Sequence, residues 1–122
     1  MARRPRSPAN TRRTLEEMSK AFLLVRAAVA DAGDRGAFDA WYAREHLPDA
    51  LKAFKAHRGW RAWSHTDPSV HYAYYEFASV EAVHRATEGS VIKPLIAEFD
   101  RRWGSRVTRA REIIEVVEER EE

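Results

Sequence analysis

Four short stretches of this chain group or alternate their apolar residues as β-strands do, and two longer ones repeat them at helical spacing. Ala21–Val29 (AFLLVRAAV) is a run of strand formers that stops at the turn signals Asp31, Gly33 and Asp34. From about Asp34 to Phe54, Phe38, Trp41, Tyr42 and Glu45 fall at i, i+3, i+4 and i+7, and Leu51 and Phe54 carry the face onward. His46 follows on the flank of that stripe. Asp34 is placed to cap this first helix, and Pro48 must kink it or split it in two.

Gly59 opens a second strand, Trp60–His65, and the cluster Thr66-Asp67-Pro68-Ser69 is a turn by composition. His71–Phe77 returns as a third strand. With a loop at 66–70, His65 stands opposite His71 and Trp63 opposite Ala73. Trp63, Tyr75 and Phe77 then share one face of the hairpin, and Trp60, Tyr72 and Tyr74 the other. Ser79 is a cap for a second helix, which Gly89-Ser90 interrupts and Pro94 begins again. Ile92, Leu95, Ile96, Phe99 and Trp103 keep helical spacing up to Gly104. Arg109–Glu118 is the last strand, followed by a charged tail.

The order β-α-β-β-α-β predicts an α+β, ferredoxin-like fold, a four-stranded antiparallel sheet with two helices on one face. The first strand is apolar on both sides, with Phe22, Leu24 and Ala28 opposing Leu23, Val25, Ala27 and Val29. Two helices cover only one side, so the pattern predicts a homodimer that buries sheet against sheet.

At 122 residues the chain is long enough for one core and not for two. It contains no cysteine, which excludes disulfides, thiolate catalysis and cysteine-ligated metals and fits a cytoplasmic setting. Residues 1–17 carry five arginines against Glu16 and Glu17, whereas the rest holds 16 basic and 17 acidic groups. The domain is therefore nearly neutral, and its field does not draw it to nucleic acid or an anionic membrane. The expected organisation is an unstructured head, 1–17, and one domain, 18–122.

Three readings of the head remain open: a basic arm, a stretch upstream of a working start at Met18, or an export signal around Arg12-Arg13. Arg26, breaking the apolar run that such a signal needs, speaks against the third. No run approaches the roughly 18 apolar residues of a membrane span.

His46 is the main candidate for chemistry, because an imidazole moves protons near neutral pH without a cofactor. Beside Tyr42 and Glu45 it is placed to deprotonate an acidic carbon or a phenol; Glu45 either orients it, closes a salt bridge with Arg44 or Lys52, or stands in water as a surface carboxylate. Its structural alternative is a hydrogen bond to a backbone carbonyl freed by Pro48. Phe38, Trp41 and Tyr42 make either an aromatic wall for a flat ligand or ordinary core. Tyr72 and Tyr74 are candidates to orient a phenolic or carbonyl ligand, with Arg26 or Arg61 as its anion partner. His65 and His71 side by side would be two metal ligands, one or two too few, so no metal site is expected.

With that element order, the stretch Phe38-Asp39-Ala40-Trp41-Tyr42-Ala43-Arg44-Glu45-His46-Leu47-Pro48 resembles the dimeric α+β-barrel superfamily, in particular its EthD-like and antibiotic-biosynthesis-monooxygenase-like members. The likeness covers about residues 20–118. It implies a pocket between helices and sheet in each subunit, and cofactor-free conversion of a small aromatic or polyketide-like molecule by oxygenation, isomerisation or cyclisation. Tyr42 and Trp41 would position the ligand. The other implied role is that of a non-catalytic dimeric binding or stress-response protein in which His46 is structural.

Overall fold

The computed structural model describes residues 19–121. The arginine-rich head and the proposed start at Met18 lie outside the described residues. Strands β1 (Ala21–Val29), β2 (Arg58–Trp63), β3 (Val70–Phe77) and β4 (Val107–Glu115) form one sheet in the order β2-β3-β1-β4. Every pairing is antiparallel. Helices α1 (Arg35–Trp41), α2 (Leu47–Phe54), α3 (Val80–Glu88) and α4 (Ile92–Trp103) cover one face. This is the predicted ferredoxin-like α+β fold. No helix among the described residues is long and apolar enough to cross a membrane.

The covered face is built from alternate strand positions, as the pleat requires. Leu23, Ala27 and Val29 of β1, and Ala73, Tyr75 and Phe77 of β3, are buried against Phe38, Tyr42, Phe54, Val83, Phe99 and Trp103. Arg26, Tyr72 and Tyr74 point to the other face. There the ring of Trp60 stacks on Tyr74 at 5.4 Å and meets the edge of Phe22 at 5.6 Å. Trp60 remains 39% exposed and Ile114 37%.

The hairpin differs from the sequence expectation by two residues. Trp63 pairs with His71 and Arg61 with Ala73, so each side chain keeps its face but not its partner. The turn is responsible. Ser64 Oγ accepts from the backbone N–H groups of Thr66 and Asp67, and Asp67 Oδ1 accepts from Ser69 N–H and Oγ–H. These local bonds close the loop just beyond Ser64, whose N–H still bonds the Val70 carbonyl at 2.9 Å, and leave His65 outside the ladder. His65 is exposed and no longer opposes His71, which removes the basis for a paired-histidine site.

Helix capping also shifts. Asp31, not Asp34, accepts from Gly33 N–H to close a 3₁₀ turn at Ala32–Asp34, while Asp34 binds Arg106 at 2.9 Å. Ser79 caps α3 as expected, accepting from Ala82 N–H. At Gly59 any Cβ would fall 2.8 Å from Leu51 Cδ2, so the absent side chain is what lets α2 lie on β2.

The first helix is divided just ahead of Pro48 into two α-helical segments, α1 and α2, as expected. The residues between them, Tyr42–His46, form a π-helical turn that joins α1 to α2, and Leu47 N–H bonds the Tyr42 carbonyl five residues back. Proline has no N–H to donate, and its ring crowds the carbonyl four residues earlier, so a wider turn accommodates it. One consequence is that Phe38, Tyr42, His46, Ala50 and Phe54, each four residues apart, are all buried. On a regular α-helix such a row would rotate by about 40° per step and leave the core.

Candidate functional site

A hollow of about 40 Å³ lies between the first helix, α4 and the sheet. Its apolar wall comes from β1, α2 and α4, and its polar residues are Tyr42, His46, Tyr75, Arg109 and Arg111. That volume admits a functional group or a water molecule, not a ring system. On the outer side of His46 runs an open cleft of about 520 Å³ bordered by Trp41, Glu45, Asp49, Lys52, Pro94 and Glu98. His46 and Leu95 belong to both walls and separate the two spaces.

The π turn carries His46 inward, where it is 9% exposed. Its imidazole stacks on the Trp41 indole, centroids 4.6 Å apart and planes 21° from parallel, and it meets Tyr42 and Phe99 edge-on at 4.9 and 5.6 Å. No described residue makes a hydrogen bond to its ring. The carbonyl bond that would have made His46 a support for Pro48 is therefore absent among the described residues. Burial pushes the imidazole down to about 4, and the Arg109 charge adds to this, so His46 is neutral at pH 7.

Behind His46 the hydroxyls of Tyr42 and Tyr75 lie 3.4 Å apart. Burial raises both phenols, Tyr42 to about 12, so each stays protonated. His71, fully buried, packs 4.6 Å from the Tyr42 ring. Its Nε2 lies 3.3 Å from Arg61 Nη1. Arginine only donates, so Nε2 accepts and the proton sits on Nδ1, a buried atom with no partner. Burial and the Arg61 charge, opposed by Asp39, lower His71 to about 4. Asp39 Oδ1 accepts from Arg61 Nη1 and from Trp63 Nε1, both at 2.8 Å, and so ties α1 to β2. The arginine beside it and these two hydrogen bonds hold its carboxyl below the usual range.

The structure brings together only part of the predicted site. His46 and Tyr42 line the hollow, and Trp41 and Phe38 pack behind them, Trp41 also bordering the cleft. Glu45, which regular helical spacing places on the inner face, is exposed on the cleft and makes no hydrogen bond to His46. Arg26, Tyr72 and Tyr74 stand on the far side of the sheet, where Arg26 and Tyr72 border a separate depression of about 580 Å³. Among the described residues no three His, Asp or Glu side chains converge as metal ligands. Sequence reasoning passed over Tyr75, Leu95, Arg109 and Arg111 as site residues. A signal existed for the arginines, which occupy alternate positions of a strand between Val107 and Ile113 on the helix-facing side.

No family model matches the sequence, and no curated protein compared with it is similar enough to count as a relative. Solved structures do resemble it. A mutant of SnoaB, a cofactor-independent oxygenase from Streptomyces nogalater, superposes with a TM-score of 0.59 at 13% identity, over 83% of this chain and 96% of that one. An ethyl tert-butyl ether D (EthD) family protein from Bacillus halodurans gives 0.58 at 15% identity, covering 75% and 96%. A candidate antibiotic biosynthesis monooxygenase from Nitrosomonas europaea gives 0.56 at 13%, covering 81% and 92%. At these identities the likeness is one of fold. The chain has the ferredoxin-like α+β fold that EthD-like and antibiotic-biosynthesis-monooxygenase-like proteins share.

Proposed function

We propose that this protein is a homodimer that binds a small aromatic or polyketide-like molecule beside His46 and converts it without a cofactor. One observation carries the reading: a buried, neutral histidine lines a hollow and spends neither ring nitrogen on any described residue. A core histidine held for structural reasons is normally hydrogen-bonded. In the proposed reaction a His46 nitrogen accepts a proton from an acidic carbon or a phenol, and the electron pair stays on the ligand as an enolate or phenolate. The imidazolium so formed lies on the Trp41 ring, whose face favours a cation. Tyr42 supplies a protonated hydroxyl to the ligand oxygen. The anion then reacts with dioxygen, regains its proton elsewhere, or closes a ring.

The proposed dimer buries the open sheet face. Phe22, Leu24, Trp60, Tyr72, Tyr74 and Ile114 give that face its apolar area, set among Arg26, Arg58, Glu76 and Glu112, and a lone subunit would leave part of it in water. Cytoplasmic location belongs to the same proposal, and a chain without cysteine fits it.

A second reading, a non-catalytic dimeric binding protein, is favoured by the size of the hollow and by the packing of Trp41 and Phe99 onto His46. One screen separates the two. Aromatic and lactone compounds are tested by thermal shift on wild type and His46→Gln, and each binder is followed for oxygen uptake and spectral change. Turnover lost in His46→Gln supports catalysis. Binding without turnover in wild type supports the second reading, and no binding removes both.

A further inference from the structure

The hollow is cationic where its strand should be apolar. On β4, Val107, Arg109, Arg111 and Ile113 alternate onto the covered face, opposite Val29, Ala27, Val25 and Leu23 of β1. Two of these four positions are arginines, and both line the hollow. Arg109 lies 3.9 Å above the Phe99 ring and reaches Asp100 Oδ1 through one N–H at 3.2 Å. Arg111 has no hydrogen bond or ion pair with any described residue. Asp100 offsets Arg109 from outside the hollow, and no carboxylate lines the hollow itself. Two like charges beside an apolar cavity repel each other, and each guanidinium keeps unused donors in a fork that fits a carboxylate.

We propose that Arg109 and Arg111 form an anion subsite in this hollow, and that its ligand is an organic acid. Its carboxylate would sit on the two guanidinium groups, and its apolar body against Val25, Ile96 and Phe99. The proposal rests on reading the hollow as a ligand pocket. A carboxylate is a group of the size the hollow now holds, and the half-buried Leu95 and Ile96 are the side chains that yield to the body. The same anion would offset the Arg109 charge that disfavours protonation of His46, so acid binding and proton uptake by His46 are coupled.

The test uses the full chain with benzoate and benzamide, which match in shape and differ in charge, in wild type and Arg111→Gln. Arg111 is exposed, so its replacement leaves the core intact. Affinity is read by calorimetry, and location by the His46 ring resonances in NMR spectra. Benzoate should bind about tenfold more tightly than benzamide and shift those resonances, and Arg111→Gln should abolish that preference. Equal affinity for the two probes, unchanged in Arg111→Gln, overturns the anion subsite and leaves the pocket standing. Benzoate binding that leaves His46 unmoved places the anion elsewhere and also overturns it. If neither probe perturbs His46, the pocket reading falls and the subsite falls with it.

Discussion

The imidazole of His46 lies flat on the indole of Trp41, five residues earlier in the chain, with centroids 4.6 Å apart. Residues five apart on an α-helix do not share a face, and the π turn at Tyr42–His46 brings these two together. The stack forms one wall of the candidate site and fixes which side of His46 is left for a ligand. Replacing His46 should therefore separate packing from chemistry. His46→Gln loses a stacked pair worth about 0.5–1.5 kcal/mol, a modest cost visible in urea unfolding. Turnover of any compound that wild type converts should vanish altogether. Full turnover in a destabilised variant would return His46 to a structural role.

Acid should unfold this protein earlier than its carboxylates alone require. Burial, aided by Arg109 for His46 and by Arg61 for His71, lowers both imidazoles to about 4. Between about pH 4 and 6.5 the unfolded chain thus binds more protons than the folded one, and stability rises with pH. The contribution is complete above about 6.5 and is lost as pH falls toward 4, on the order of 2–3 kcal/mol for each histidine. Urea midpoints at pH 7.5, 5.5 and 4.5 measure this, and a flat profile across that window would contradict the buried neutral state of both rings.

Removing the Arg109 charge should raise the His46 pKa. Burial remains the larger cause of the depression, so Arg109→Gln moves it only part of the way back toward the ordinary value. Proton NMR titration of the His46 ring reads the change directly. A further fall would reverse the sign argued for this contact.

Asp39 should matter more for stability than its half-exposed position suggests. It is the shared acceptor of Arg61 and Trp63, so Asp39→Ala frees the indole N–H and leaves Arg61 unpaired beside the neutral His71. The expected loss is about 1–3 kcal/mol in denaturant unfolding. Asp39→Asn, which can still accept one of the two bonds, should lose less.

A charge in the middle of the open sheet face should split the proposed dimer. Leu24 pairs with Tyr74 on one side and Glu112 on the other, and Leu24→Glu would set an added carboxylate beside Glu112 in each subunit across a two-fold interface. Sedimentation at micromolar concentration should give a dimer for wild type and a monomer for the variant. A wild-type monomer would leave the apolar face without its proposed cover.

The chain's own pattern was sufficient for the fold, because periods of two and of about four are local properties that survive any detail of packing. β1, the helix of Phe38 and Tyr42, the Ser79 cap and the Gly104 stop all stand where that pattern puts them. His46 was legible as a candidate for a simpler reason, being an ionisable group at the end of an aromatic stripe. Three features depended on tertiary structure. Side-chain bonds in the turn at Ser64–Ser69 decided the hairpin partners and parted His65 from His71. The π turn exchanged Glu45 for His46 on the inner face, a rotation that regular helical counting cannot contain. Arg109 and Arg111 joined Tyr42 and His46 only when β4 paired with β1, since strands distant in sequence meet through the sheet's register.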